Sequence, residues 1–384
     1  MIPYVLLILF IVILQIRNKN VLDKENHKYV FSLIILFLFA ALRGNGDGDY
    51  FTYIQYSKYI TTFESVINNN FPMEIGFRII SYFINIINAN QQFVIIIMNA
   101  ISITCVGIFI NRYSSNKMMS VFLFLPFYFS FDMHTARTAV AIGISLLSLK
   151  YVIDKNFFKF LIVVLVSSAF HTISLAVLII YFLAYLKINV KFGILLITMV
   201  VISTSIVSVD KTVISLFDMI GLHSIGSRYS IYVSNESYGY AFNIFDPRLI
   251  IAIGLFVFAK LRLPNPNEIE KLLINITWLS AIVMIVMREH TIFVIRMSSF
   301  FTIYSIVLVP LLSIRIKDCI LLKIEKFKVI KYRKTIIIKD FYLVNFIVIL
   351  FFTAYTAVLL YRNTVEYKFF FSSPFEIRLQ EFLN

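Results

Sequence analysis

Five short stretches of this chain carry residue types that chemistry needs. The first runs Arg43-Gly-Asn-Gly-Asp47-Gly-Asp49-Tyr50, with Tyr53 and Tyr56 close behind. Its glycines permit tight turns and close backbone approach. An arginine with two carboxylates on such a loop can bind sugar hydroxyls or a diphosphate. The Asp-Gly-Asp spacing is shared with calcium loops, but the later ligands and the closing Glu are missing. The competing reading is a turn into an interfacial helix. The second stretch, His134-Thr-Ala-Arg137-Thr-Ala-Val-Ala-Ile-Gly143, puts an arginine about one turn into a small-residue, apolar helix. A charge near membrane depth costs on the order of 2.5–3.5 kcal/mol even on lenient scales, so it needs a partner or a task. In the third, Ala169-Phe170-His171-Thr172, the imidazole can serve as a general base near neutral pH or make an interfacial hydrogen bond. The fourth is Ser227-Arg228-Tyr229. The fifth is Arg288-Glu289-His290, with Arg296 inside the apolar run that follows. Arg288, Glu289 and His290 read either as an acid–base and phosphate-binding cluster or as a polar outer turn.

The elements that must position these residues are membrane helices. Of 384 residues 60% are hydrophobic and 15% charged, with a mean hydropathy of +0.86. Soluble domains are about 45–50% apolar and about 25% charged, so this chain needs lipid as solvent. Lipid admits only helices and closed barrels. The apolar runs, such as Leu33–Leu42, are continuous rather than alternating, which selects helices. We therefore expect an all-α polytopic integral membrane protein with about twelve transmembrane helices. The spans are placed at 2–16, 29–42, 91–110, 118–131, 135–153, 157–170, 172–186, 192–209, 249–262, 271–287, 292–314 and 341–361. Residues 74–87 are read as a re-entrant or interfacial helix. Segment 2–16 has its basic residues after it and no small-residue cleavage site, so it is expected to be an uncleaved helix with its N-terminus outside. The C-terminus then also falls outside. Outer loops at 43–74 and 210–247 and an outer tail at 362–384 have room for function. The basic loop 315–339 is cytoplasmic and anchors on anionic lipid headgroups.

Charge supports this threading. The net charge of +14 follows the positive-inside bias and does not call for nucleic acid. Inside cations are mostly lysines, whereas Arg43, Arg78, Arg137, Arg228, Arg248, Arg288, Arg296, Arg362 and Arg378 all fall outside. Outward arginines oppose the orientation rule and require another cause. Either they pair with Asp47, Asp49, Glu74, Glu236 or Glu289, or they grip an anionic ligand, which the planar guanidinium fork suits. Cys105 and Cys319 form no disulfide framework or CxxC pattern, and the histidines show no metal-binding spacing, so neither metal nor cofactor is expected.

Taken in order, these stretches resemble EpsG-family proteins, relatives of the Wzy-type polysaccharide polymerases. The matching pieces are Arg43, Gly46-Asp47, Tyr50 and Tyr53, then Glu74-Ile-Gly76-Phe77 and Ala136-Arg137-Thr138-Ala139 with Ala141-Ile-Gly143. Lys159-Phe160, Phe170-His171-Thr172, Arg296 ahead of Phe300, Phe301 and Pro310, and Tyr367 to Phe375 complete them. Thr138 stands where the family pattern has Gln after the arginine. The resemblance implies a glycosyltransferase of GT-C-like architecture in the bacterial cytoplasmic membrane. It would polymerise undecaprenyl-diphosphate-linked oligosaccharide units en bloc at the outer face, for an O-antigen, capsule or exopolysaccharide. A flippase and a chain-length regulator of the same pathway are the implied partners, besides membrane lipids. On this view Arg137, Arg228 and Arg296 hold the diphosphate, while His171, Asp47, Asp49 or Glu289 takes the acceptor's proton. Arg43, Arg288 and His290 bind substrate, and Tyr50, Tyr53 and Tyr229 stack on sugar faces. Rival readings are a flippase or transporter of lipid-linked sugars, an O-antigen ligase-type GT-C transferase, and a non-enzymatic assembly subunit.

Overall fold

The structure is a computed structural model that describes residues 2–16, 22–44, 48–68, 71–219, 226, 230, 241–263 and 265–326. The span expected at 341–361, the tail 362–384 and the residues Asp47, Arg228 and Tyr229 lie outside the described residues. Among the described residues every regular element is helical. Three helical stretches are long and apolar enough to cross a membrane: Gln92–Tyr113, Ala136–Ile153 and Glu268–Val286. Shorter apolar helices lie at Pro3–Gln15, Asn26–Ala41, Ile75–Ile86, Phe157–Ser168, Thr172–Leu183 and Val190–Ile206. At about 1.5 Å per residue, twelve residues reach only about 18 Å of the ~30 Å hydrocarbon core.

The chain divides into two compact units. The first comprises Met1–Tyr151, Asn156–Leu175 and Ile306–Asn384. It holds helices α1 (Ile2–Ile16), α2 (Leu22–Ala41), α3 (Gly48–Lys58), α4 (Phe63–Ile67), α5 (Ile75–Ile86), α6 (Gln92–Tyr113), α7 (Lys117–Phe127), α8 (Ala136–Leu147), α9 (Leu149–Ile153, shared with the second unit) and α10 (Phe157–Ser168). Helix starts are written in the sequence. Asn116 and Asn156 accept hydrogen bonds from Met119 and Lys159 backbone N–H groups, and Thr62 closes a capping box with Ser65. Pro126 lacks an N–H and interrupts the end of α7, which continues as a π-helical turn over Tyr128–Asp132. Helix α8 packs closely on α6 because Gly143 faces it: a Cβ there would lie 3.1 Å from the Ser102 carbonyl oxygen. One apolar core joins Tyr53 of α3, Phe77 of α5, Val94 and Met98 of α6, and Ala136 and Val140 of α8.

The second unit, Val152–Lys155 with Ala176–Ser305, holds α11 (Ile179–Leu183), α12 (Val190–Ile206), α13 (Val209–Met219), α14 (Pro247–Arg262), α15 (Glu268–Val286) and α16 (Thr291–Thr302). Helix α15 is its buried centre. Asn275 reaches from α15 to the Leu183 and Leu186 carbonyls (3.2 and 3.0 Å), and the Trp278 indole donates to the Gly193 carbonyl (3.1 Å). The Asn275 bonds fasten α15 to the C-terminal end of α11, and the Trp278 bond fastens it to the first turn of α12.

Three expectations from hydropathy differ in detail. The run 292–314 is two helices, α16 and α17 (Ser305–Lys326), with a turn at Ile303-Tyr304. Helix α17 continues through the start of the basic segment 315–339, where a loop is expected from its charge. The run 172–186 begins as a 3₁₀ turn over Thr172–Leu178 before α11. Uniform apolarity does not distinguish a continuous helix from a broken one, because hydropathy carries no information on backbone continuity.

Candidate active site

The structure gathers the first three chemistry-bearing stretches in the first unit. The loop after α2 is tied down by one amide. Gln92, at the start of α6, donates to the Ala41 and Arg43 carbonyls (2.7 and 2.9 Å) and accepts from the Tyr50 hydroxyl (2.6 Å). Helix α3 therefore begins in a set position, with Asp49, Tyr50 and Tyr53 on its first turns. Arg43 is 2% exposed and turns inward, where it donates to the His134 carbonyl at 2.9 Å. Its Nε and Nη1 have no partner.

Arg137, in the first turn of α8, forms an ion pair with Glu74, the residue just before α5. Its guanidinium carbon lies 5.7 Å from the centre of the Tyr53 ring, within cation–π range. The side chains of Arg137 and Glu74 remain 21% and 22% exposed, so the pair is not sealed inside the helix packing. Of the two readings for outward arginines, ion pairing thus holds for Arg137 with Glu74, and for Arg248 with Asp246 (2.8 Å). Arg78 instead donates to the Asn68 carbonyl. Burial pushes the Tyr53 phenol's pKa up. Nearby Asp49 adds to the rise, while Arg137 and Arg43 oppose it. Tyr53 accordingly stays neutral across the working pH range, as an uncharged neighbour of the arginine.

Helix α5 connects this pair to the histidine stretch. The Gly76 N–H donates to the Ala169 carbonyl at 2.7 Å, and a Cβ on Gly76 would sit 2.9 Å from the Phe170 ring. Absence of a side chain is what allows the contact. His171 follows directly, half-buried, with Nδ1 accepting from the Ile173 N–H at 3.3 Å.

The fifth stretch lies in the second unit and is engaged in helix ends. The Glu289 carboxylate accepts from the Val209 N–H (3.1 Å) and the Ser208 hydroxyl (3.3 Å), at the first turn of α13. Arg288 donates to the Thr204 carbonyl (2.9 Å) and the Ser205 hydroxyl (3.1 Å), at the last turn of α12. These are the favourable ends for an anion and a cation. His290 precedes α16 and meets Phe293 edge to face, with ring centroids 6.0 Å apart. Arg296 is half-buried, with no hydrogen-bond or ion-pair partner among the described residues. Replacing Glu289 by alanine is expected to lower stability by about 1–2 kcal/mol, as loss of an N-cap does, which a thermal melt in detergent checks; an unchanged melt would show that the contact to Val209 and Ser208 contributes nothing.

Sequence reasoning passed over several polar groups. Glu74 entered only as a pairing partner and as part of a motif, and Gln92 not at all. Asp132 is 1% exposed, beside Ser102 and facing Arg43, with its Oδ1 unpartnered. An acid next to an apolar run was a readable signal for it. Nothing comparable pointed to Gln92, since the value of an amide lies in which carbonyls it meets.

The model of the EpsG family matches residues 26–372 of the chain. No curated protein and no solved structure matches it.

Proposed function

The chain belongs to the EpsG family, and on that premise we propose that it is a polysaccharide polymerase of the bacterial cytoplasmic membrane. In finer terms, it crosses the membrane about twelve times in a GT-C-like arrangement. It transfers a growing glycan en bloc from undecaprenyl diphosphate to the next lipid-linked repeat unit, at the outer face. The observation that carries this reading is Arg137, a cation within a small-residue helix, partly exposed and set against Tyr53 and Glu74. A lipid diphosphate leaving group develops negative charge as its bond to the sugar breaks. A fixed guanidinium at that point stabilises the transition state more than the ground state, which is what accelerates a reaction.

Arg137 would hold the diphosphate, with Arg43 adding positive potential from behind. Tyr50 would face the sugar rings, whereas Tyr53, expected there as well, is 2% exposed in the core and would instead support Arg137 with its ring. The acceptor hydroxyl needs a base, and His171, Asp47, Asp49 and Glu289 are the candidates that the sequence offers for its proton. Arg228, Tyr229, Arg288, His290 and Arg296 remain proposed substrate contacts, each to be tested singly. A flippase supplying the outer leaflet and a regulator of chain length would be the functional neighbours.

The test is deletion of the gene in its native host. Loss of long surface glycan, with single lipid-linked units accumulating in the outer leaflet and wild type restoring length, is the expected result. Accumulation in the inner leaflet alone would replace the polymerase with a flippase. Long polymer left on its lipid carrier would indicate a ligase.

A further inference from the structure

Glu74 and Arg137 hold one another where a diphosphate is expected, and this arrangement has a use. Carboxylate and phosphate are drawn to the same guanidinium charge and donors, and their like charges repel, so a bound diphosphate competes with Glu74 for Arg137. The Arg137 Nε is buried and has no partner, which leaves donor capacity that a single carboxylate does not use. Glu74 sits at the non-helical position before α5, and its side chain makes no capping bond, so moving it leaves the start of the helix intact. The groups facing Glu74 are Arg78 on its own helix and Arg137 on α8, the latter flanked by Tyr53 and Asp49 on α3. If displaced, the carboxylate keeps Arg78 as a nearby counter-charge.

We propose that Glu74 is a catalytic residue held in reserve: it occupies Arg137 until a diphosphate displaces it, and then accepts the proton of the acceptor hydroxyl. This rests on the polymerase reading and assigns its proton acceptor. The step balances. The acceptor O–H bond breaks and its proton passes to the Glu74 carboxylate. The acceptor oxygen forms the new bond to the anomeric carbon. The bond from that carbon to the diphosphate breaks, and its electron pair leaves with the diphosphate, facing Arg137.

The test uses the full-length protein in phosphatidylcholine nanodiscs. Binding of farnesyl diphosphate is titrated, with inorganic pyrophosphate in parallel. Glu74→Gln preserves shape and removes the competing charge, so it is expected to bind farnesyl diphosphate about tenfold more tightly than wild type. Adding Arg137→Ala is expected to abolish that gain. An equal gain for pyrophosphate assigns the site to the diphosphate alone, whereas a gain confined to farnesyl diphosphate adds the prenyl chain. With lipid-linked repeat units isolated from the deletion strain, Glu74→Gln is expected to leave them unextended, while Glu74→Asp extends them slowly. Unchanged affinity in a Glu74→Gln protein that melts like wild type overturns the proposal, and so does extension at the wild-type rate. If wild type itself extends nothing, the polymerase reading is lost, yet the titration still decides whether Glu74 competes with a diphosphate.

Discussion

Replacing Arg137 by alanine is expected to leave cells with single repeat units in place of long glycan, at a normal level of folded protein. The size of the effect follows from what the guanidinium would do. Removing one preorganised electrostatic contact to a transition state costs about 10²–10³ in rate, or about 2.7–4 kcal/mol. A slowdown of that order terminates most chains after very few additions. Stability should change little. The Glu74 carboxylate left behind is 22% exposed and can be solvated by water, and exposed ion pairs contribute only about 0–1 kcal/mol. Arg137→Lys is the sharper variant: it keeps the charge but loses the bidentate fork. It should recover less than about a tenth of the wild-type extension rate, within the range of one lost charge-assisted bond. Gel analysis of surface glycan, immunoblotting and a melting curve in detergent check these points together. Long glycan from Arg137→Ala cells would make the Arg137–Glu74 pair a structural tie.

The second large effect is expected at Gly76, and it acts through packing alone. A Cβ there would lie 2.8 Å from the Ala169 carbonyl oxygen and 2.9 Å from the Phe170 ring. The nearest atom is backbone and cannot rotate away. Gly76→Val should therefore push α5 off the 169–172 segment, strain or break the 2.7 Å Gly76–Ala169 hydrogen bond and separate Glu74 from its present surroundings. Overpacking of this kind costs about 1–3 kcal/mol, and loss of the bond adds to it. Melting temperature should fall and glycan length should shorten with it, whereas Arg137→Ala shortens glycan at constant stability. Gly254 serves as the control. A Cβ there meets nothing within 4 Å, so Gly254→Ala in the middle of α14 should be neutral or slightly stabilising, as alanine is in helices. A Gly76→Val protein that melts and polymerises like wild type would remove α5 from the account of the site.

Sequence and structure divided the work along a physical line. Properties that depend on a few neighbouring residues were legible in advance. Composition called for a lipid solvent, and continuous apolar runs called for helices. The order of short polar motifs carried the family. The cost of burying Arg137 was also readable, because it depends only on a charge within an apolar helix. Which residue meets it was not. Glu74 lies 63 residues away in sequence, and no local rule ranks it above Asp47, Asp49 or Glu289 as a partner. Similarly, Arg288-Glu289-His290 reads as acid–base chemistry in one dimension, yet Arg288 and Glu289 serve the last turn of α12 and the first turn of α13. Only tertiary structure decided these pairings. Hydropathy and helix periodicity are set by the chain's own neighbours, whereas an ion pair or a helix-end contact depends on how separate helices rotate and slide against each other as they pack.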